Sequence, residues 1–372
     1  MDDIANVMDI NSTCAYCGVG CGITSKHDIN SGELISVGGD VKHPANRGRL
    51  CLKGATLGAT LSAGKRLQQP MLAGQPVTWD HAMDHVATQF QRIINTYGPQ
   101  SVAFYLSGQL LTEDYYVANK LMKGFIGSPN VDTNSRLCMS SSVIGHQRAF
   151  GEDIVPGCYD DLEHADLVLL VGSNMAWTHP ILHQRLLKAR ESNPSLKIVV
   201  LDPRSTATAQ LSDVHLPIAP DSDTSFFVGL LAYMASNNGL DHGYITDHCQ
   251  GFDDSISVAQ SSCPDIASVA KACNLPIAQI TQVFDWFCQT SKVVSVFSQG
   301  VNQSTSGSDK VSAIINCHLA SGKIGKPGAT PFSITGQPNA MGGREVGGLA
   351  NQLAAHMDYE KPQDIDRVRR FW

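Results

Sequence analysis

Four cysteines near the start of the chain have the types and the spacing to do chemistry. Cys14, Cys17 and Cys21 read C-x2-C-x3-C within TCAYCGVGCGI, and Cys51 follows at long range in RGRLCLKG. Tight thiolate spacing with glycines between lets one loop wrap a cluster while its backbone N–H groups face the sulfurs. A [4Fe-4S] site held by four thiolates makes that demand. Gly18, Gly20 and Gly22 supply the unusual backbone angles and the close approach. The alternative is a structural zinc site of four cysteines. Zinc usually takes two C-x2-C pairs, and here the second half is a single cysteine.

A further thiol, Cys138, lies in NVDTNSRLCMSSSVIG, after a run of turn-forming residues and just before a helix predicted over 140–150. A thiol at a helix N-terminus has a lowered pKa and is a ready metal ligand or nucleophile. Taken alone, such a residue also reads as a buried structural cysteine. Cys158, Cys249, Cys263, Cys273, Cys288 and Cys317 lack ligand spacing and read as small buried hydrophobes. His179 and His183 stand at i, i+4 without a third ligand nearby, which points to packing or helix-end hydrogen bonding. Asp160, Asp161 and Glu163 read as charges at the start of a short helix.

The elements that must position these residues form an α/β pattern. A helix capped by Thr78 or Asp80 runs to about Tyr97, with Ala82, His85, Val86, Phe90, Ile93 and Ile94 on one face. SVAFYLSG (101–108) reads as a buried strand and 111–126 as a helix, so strand and helix alternate as in a parallel sheet. A second unit begins near Ala165: strand 166–172, helix 180–191, strand 197–203. The helix 224–237, helix 277–290, strand 293–300 and helix 309–321 follow. Ligands in such folds bind at the carboxyl ends of the strands, where helix N-termini favour phosphate. No G-x-G-x-x-G fingerprint is present, so the βαβ unit alone is a weak nucleotide signal. TGQPNAMGGREVGG, rich in glycine with one Arg and one Glu, reads as a binding loop, and no closing element is legible after it.

Composition sets the outer limits. The 372 residues are 42% hydrophobic and only 16% charged, with 33 glycines, as expected of a large buried α/β body with tight loops. A net charge of −7 gives no electrostatic support for nucleic-acid binding. The acidic start MDDIANVMDI has no secretory or twin-arginine pattern, and no apolar run approaches the ~18 residues of a membrane span. These features lead to an expectation of a cytoplasmic protein without a membrane partner, in which 11 cysteines are not a disulfide framework.

Six motifs, CAYCGVGCGI, RGRLCLKG, NSRLCMSS, GCYDDLEHADLVLLVGSN, HPIL and TGQPNAMGGREVGG, together resemble the molybdopterin-guanine-dinucleotide oxidoreductases, in the same order along the chain. Within that family the likeness is nearest to the catalytic subunits of bacterial assimilatory nitrate reductases. The resemblance implies a small [4Fe-4S] domain over 1–70. It also implies an α/β domain over 71–150 that continues at 331–372, and a Rossmann-like pterin-dinucleotide domain over 151–330. It implies that Cys14, Cys17, Cys21 and Cys51 hold the cluster and that Lys53 lies on the electron path. Cys138 would ligate molybdenum, and its Cys-Met context matches nitrate reductases, where formate dehydrogenases follow the ligand with His. Gln109, Asn134 and the stretch Val171–Thr178, with Gly172, Ser173, Asn174 and Met175, match positions that hold a Mo-bis(molybdopterin guanine dinucleotide) cofactor. So do Asp202, Arg204, Asp221, Ser222, Asp223, Gln299 and Gln303. Met139 and Arg344 are candidates for the substrate cavity, a forked arginine suiting a planar oxyanion.

The implied reaction is reduction of nitrate to nitrite by oxygen-atom transfer, with electrons from ferredoxin, flavodoxin or an NADH-linked partner. Catalytic chains of the family continue well beyond this length, so the chain resembles their N-terminal part. It is expected to hold the cluster but to bind the molybdenum cofactor weakly or not at all. A formate dehydrogenase-like enzyme and a non-catalytic iron–sulfur electron-transfer subunit are the rival readings.

Overall fold

The structure is a computed structural model that describes residues 6–61, 64 and 66–372. The acidic residues 1–5, and residues 62, 63 and 65 of the expected cluster domain, lie outside the described residues. The chain divides into two compact units. One comprises the chain up to Tyr16, Gly20–Arg136 and Gln337–Trp372; the other comprises Cys17–Val19 and Leu137–Gly336.

In the first unit, β1 (Val7–Thr13), β2 (Gly22–Asp28) and β3 (Leu34–Gly39) form an antiparallel sheet. Thr13 pairs with Gly22, so the cysteine stretch is the hairpin connection between β1 and β2. Helix α1 (Trp79–Tyr97) is capped by Thr78, whose side chain accepts from His81 N at 3.3 Å. Its predicted apolar face is covered only in part. Phe90 and Ile94 pack on Val102, Met122 and Val131, while Val86 is exposed, because the sheet beneath, β4 (Phe104–Leu106) and β5 (Val131–Thr133), has two strands. The expected buried strand over 101–108 is thus three residues long, with Tyr105 exposed. Between β4 and β5 come α2 (Thr112–Asn119) and a π-helical continuation, Lys120–Ile126.

The glycine-rich stretch is not an open loop. It forms a buried helix, Ala340–Glu345, and a Cβ on Gly343 would meet the Tyr115 ring at 2.8 Å. The close approach that the glycines allow is to this unit's own core. Lys123 fastens the following turn by donating to the carbonyls of Gly347 (2.9 Å), Leu349 (2.8 Å) and Gln352. A further helix, Pro362–Phe371, was not legible in the sequence; its Asp364 and Val368 are buried.

Helix α3 (Ser135–Phe150) leads into the second unit. It begins at Ser135 rather than 140, so Cys138 sits inside its first turn. The second unit is a five-stranded parallel sheet: β6 (Leu167–Val171), β7 (Lys197–Leu201), β8 (Val214–Leu216), β9 (Val293–Phe297) and β10 (Thr330–Ser333). The order is β8-β7-β6-β9-β10, with every pair parallel. Both faces are covered, so β6 reads as an unbroken aliphatic run and β9 as an apolar run interrupted only by Ser295, both buried throughout. Helix α4 (Pro180–Ser192) follows β6 after an extra turn, Met175–Thr178. Helices α5 (Asp223–Ser236), α6 (Ile277–Gln289) and α7 (Gly307–Ala320) pack Phe226, Phe227, Phe284 and Phe287 into the main core.

His318 is fully buried in that core. Its Nδ1 lies 2.8 Å from Lys323 O and its Nε2 lies 2.8 Å from Ser295 Oγ. A carbonyl can only accept, so Nδ1 carries the proton and Nε2 accepts from the serine. Burial pushes the imidazole pKa down to about 3. Because the folded value lies below the unfolded one, the unfolded chain binds the extra proton. Stability is therefore complete above about pH 6.5 and falls by about 1.4 kcal/mol per pH unit below it. Urea unfolding at pH 5 and pH 8 should show this loss, and His318→Gln, which keeps a donor and an acceptor, should remove most of it.

Candidate functional site

At the carboxyl edge of the parallel sheet lies a cleft of 670 Å³. The strand order changes direction between β6 and β9, and a parallel α/β sheet opens a crevice at such a point. The floor is bare backbone. Gly300 N donates to Gly172 O at 3.0 Å, and a Cβ on Gly300 would lie 2.6 Å from Gly172 Cα. Gly172 also has φ +53°, a conformation open chiefly to glycine.

The cleft gathers most of the positions singled out in this half of the sequence. Gly172, Asn174, Asp202, Arg204, Asp221, Asp223, Gln299 and Gln303 all line it. Ser173 and Met175 are buried beside it rather than lining it, and Ser222 stands just before α5 with its hydroxyl donating to Ala219 O at 2.7 Å. Asn174 Oδ1 is held by Thr208 Oγ1 at 2.8 Å, and Asp202 Oδ1 accepts from Arg204 N at 2.8 Å, leaving the guanidinium exposed.

Gln299 connects the cleft to Cys138. Its Nε2 lies 2.8 Å from Cys138 Sγ, while Asn302 Nδ2 lies 3.3 Å from the buried Met139 Sδ. An N–H directed at a sulfur fixes its orientation, as hydrogen bonds to metal-ligating groups do. His179 bonds Thr335 O and Thr178 Oγ1, and Asp160 and Glu163 pair with Arg185, so these residues serve packing.

Lys310 was not singled out in the sequence, although it is central here. It is 2% exposed and lies 2.8 Å from both Asp221 and Asp223. Burial opposes its charge, yet the two carboxylates outweigh that and raise its pKa. Asp221 has φ +70°, and its Oδ1 receives Lys310 Nζ, Ser304 Oγ (2.6 Å) and Ser306 Oγ (3.1 Å). Lys310 first, then the two serines, hold the carboxyl down to about 2. Its Oδ2 makes no hydrogen bond among the described residues, which leaves an acceptor in the cleft wall.

In the first unit, Asn46 organises the cysteine loop, and it too was missed in the sequence. It is 1% exposed; its Oδ1 accepts from Gly22 N (2.8 Å) and its Nδ2 donates to Gly22 O (3.0 Å) and Arg49 O (2.9 Å). The amide thereby ties the segment carrying Cys51 to the end of the hairpin loop, where Cys14 N donates to Cys21 O at 2.8 Å. Burial raises the Cys14 thiol pKa, with Cys51 adding to the rise and Lys53 opposing it. Cys14, Cys17 and Cys21 are buried, and none of the four cysteines is in a disulfide. Among the described residues no group of three or more metal-binding side chains is already gathered. A donor set of four cysteines outside any disulfide, three of them buried and Cys51 partly exposed, fits a thiolate-held cluster.

Gln109, Asn134 and Arg344 belong to the first unit as well. Gln109 Nε2 donates to Ala15 O at 2.6 Å, Asn134 Oδ1 accepts from Gly108 N at 2.8 Å, and Arg344 is buried on its short helix. Among the described residues no helix is long and apolar enough to cross a membrane.

Replacing Lys310 with Met would leave Asp223 buried without its cation. The chain should lose about 3 kcal/mol of stability at pH 7, read by urea unfolding, and the Asp221 pKa should rise toward the ordinary carboxylate value.

The sequence profile named molybdopterin oxidoreductase matches residues 66–368, and that of the molybdopterin oxidoreductase Fe4S4 domain matches residues 8–62. A nitrate reductase of Klebsiella oxytoca is 52% identical over 98% of this chain and 41% of its own length. One from Shewanella frigidimarina is 52% identical over 98% of this chain and 39% of its own. A periplasmic nitrate reductase of Desulfovibrio desulfuricans is 36% identical over 98% of this chain and 50% of its own. This chain thus spans about half or less of these curated relatives. The solved acetylene hydratase of Pelobacter acetylenicus shares the fold, with a TM-score of 0.73 over 87% of this chain and 44% of its own, at 20% identity. The chain belongs to the molybdopterin oxidoreductase family, with that family's Fe4S4 domain at residues 8–62.

Proposed function

We propose that this chain is the cluster- and nucleotide-binding part of a cytoplasmic, assimilatory nitrate reductase that reduces nitrate to nitrite. The observation that carries the proposal is the Gln299 contact, which places the Cys138 sulfur against a lining residue of the switch-point cleft. The two relatives at 52% identity, both named nitrate reductases, support the choice of substrate. The Cys138-Met139 pair supports it over a formate dehydrogenase-like reading.

A bound molybdenum–bis(molybdopterin guanine dinucleotide) centre would supply the oxygen acceptor and the two-electron change, with a [4Fe-4S] cluster delivering single electrons. The protein's part is to hold and tune. Cys138 would be the metal ligand, with Gln299 donating to its sulfur. The Oδ2 of Asp221 would be the acceptor for the donor edge of guanine, while Lys310 and the two serines keep that carboxylate ionised and fixed. The backbone floor at Gly172 and Gly300 leaves room for a pyrophosphate. Arg344 and Met139 are each candidates for contact with nitrate, and Lys53, which acts on the Cys14 thiol, is assigned to the electron path. A ferredoxin, a flavodoxin or an NADH-linked subunit supplies the electrons.

The chain purified without oxygen should be brown and carry about four iron atoms, with molybdenum well below one per chain. Cys51→Ser should abolish the colour, and Asn46→Ala should lower the iron retained without unfolding the chain. Colourless protein with one zinc would overturn the cluster assignment. Stoichiometric molybdenum with full turnover would overturn the view that this portion alone holds the metal cofactor poorly.

A further inference from the structure

A second cavity, of 600 Å³, lies at the amino edge of the same sheet, at the opposite ends of the strands from the cofactor cleft. Its wall carries Lys292 just before β9, Lys323 and Lys326 before β10, and Asp241. Helices α5, α6 and α7 end around it. Helix carbonyl ends attract lysines, which accounts for the exposed Lys292 and Lys326.

Lys323 is not explained that way. It is 6% exposed and fixed at both backbone ends, its N donating to His318 O at 2.9 Å and its O receiving the His318 ring. Its Nζ sits 5.0 Å over the Phe287 ring and makes no hydrogen bond or ion pair among the described residues. The acid on the wall, Asp241, favours the Lys323 charge through space but makes no ion pair with it; its Oδ1 accepts from Tyr244 N at 2.9 Å to cap the helix His242–His248. Burial depresses the Lys323 pKa. A buried ammonium with no oxygen partner, in a roomy cavity with two further lysines and hydroxyl-bearing walls, lacks an anion.

We propose that this cavity binds a small anion bearing phosphate or carboxylate groups, with Lys323 at its floor and Lys292 and Lys326 at its rim. The bound oxygens would take charge-assisted hydrogen bonds from Lys323 and leave the cofactor cleft untouched. The site stands whether or not the chain's partner reaction is nitrate reduction.

Calorimetric titration of the chain at low salt, with inorganic phosphate and separately with citrate, tests this. Saturable one-site binding to at least one of them is expected. Lys323→Met should weaken it about tenfold, and Lys326→Gln and Lys292→Gln, both at exposed positions, should weaken it about threefold each. Tighter phosphate binding assigns a phosphate group; tighter citrate binding assigns a carboxylate. Absence of saturable binding to both anions, or binding that the exposed-lysine variants leave unchanged, overturns the proposal.

Discussion

Everything the second unit offers a ligand depends on one backbone contact. Gly300 N meets Gly172 O where neighbouring strands β6 and β9 send their chains in opposite directions. A side chain at either position would fill the crevice floor, since an added Cβ would fall within 3 Å of the facing backbone. Once the floor is bare, the residues that follow each strand become walls. Asn174 stands on one side, Ser298 and Gln299 on the other, and Gln299 reaches Cys138. The reactive thiol is thus positioned through the sheet and not by its own helix alone.

Charge is then arranged around that crevice without being wasted on the protein's own interior. Lys310 is buried between two aspartates, so its cost of desolvation is offset by two short ion pairs. The three contacts to one oxygen of Asp221 leave the other oxygen as an acceptor, and its left-handed backbone is stabilised by the same contacts. In the first unit a neutral amide does the comparable work. Asn46 mimics a strand partner for Gly22 and so sets the distance between the hairpin loop and the segment that carries Cys51.

The buried strands were legible because a sheet covered on both faces writes itself as a mostly apolar run, as in Leu167–Val171 and, with one serine, Val293–Phe297. The cleft residues were legible at the ends of those runs. Short strands such as Phe104–Leu106 were overread, because apolar content does not reveal how many neighbours a strand will have. The glycines at 342 and 343 were read as facing a ligand, yet they face Asn339 and Tyr115; sequence shows that a close approach occurs and not what approaches. Lys310 and Asn46 were silent for a related reason. A lysine on a helix and an asparagine in a turn are ordinary until the fold brings Asp221 and Gly22 against them.

The proposed role of the switch-point cleft is to take the guanine end of a dinucleotide cofactor. Its most direct test is calorimetric binding of GDP and of ADP to the chain and to its Asp221→Asn variant. GDP should bind more tightly than ADP, and the variant, which keeps an Oδ1 acceptor for Lys310, Ser304 and Ser306, should lose that preference. Equal affinity for the two nucleotides, or a preference unchanged by Asp221→Asn, would contradict it.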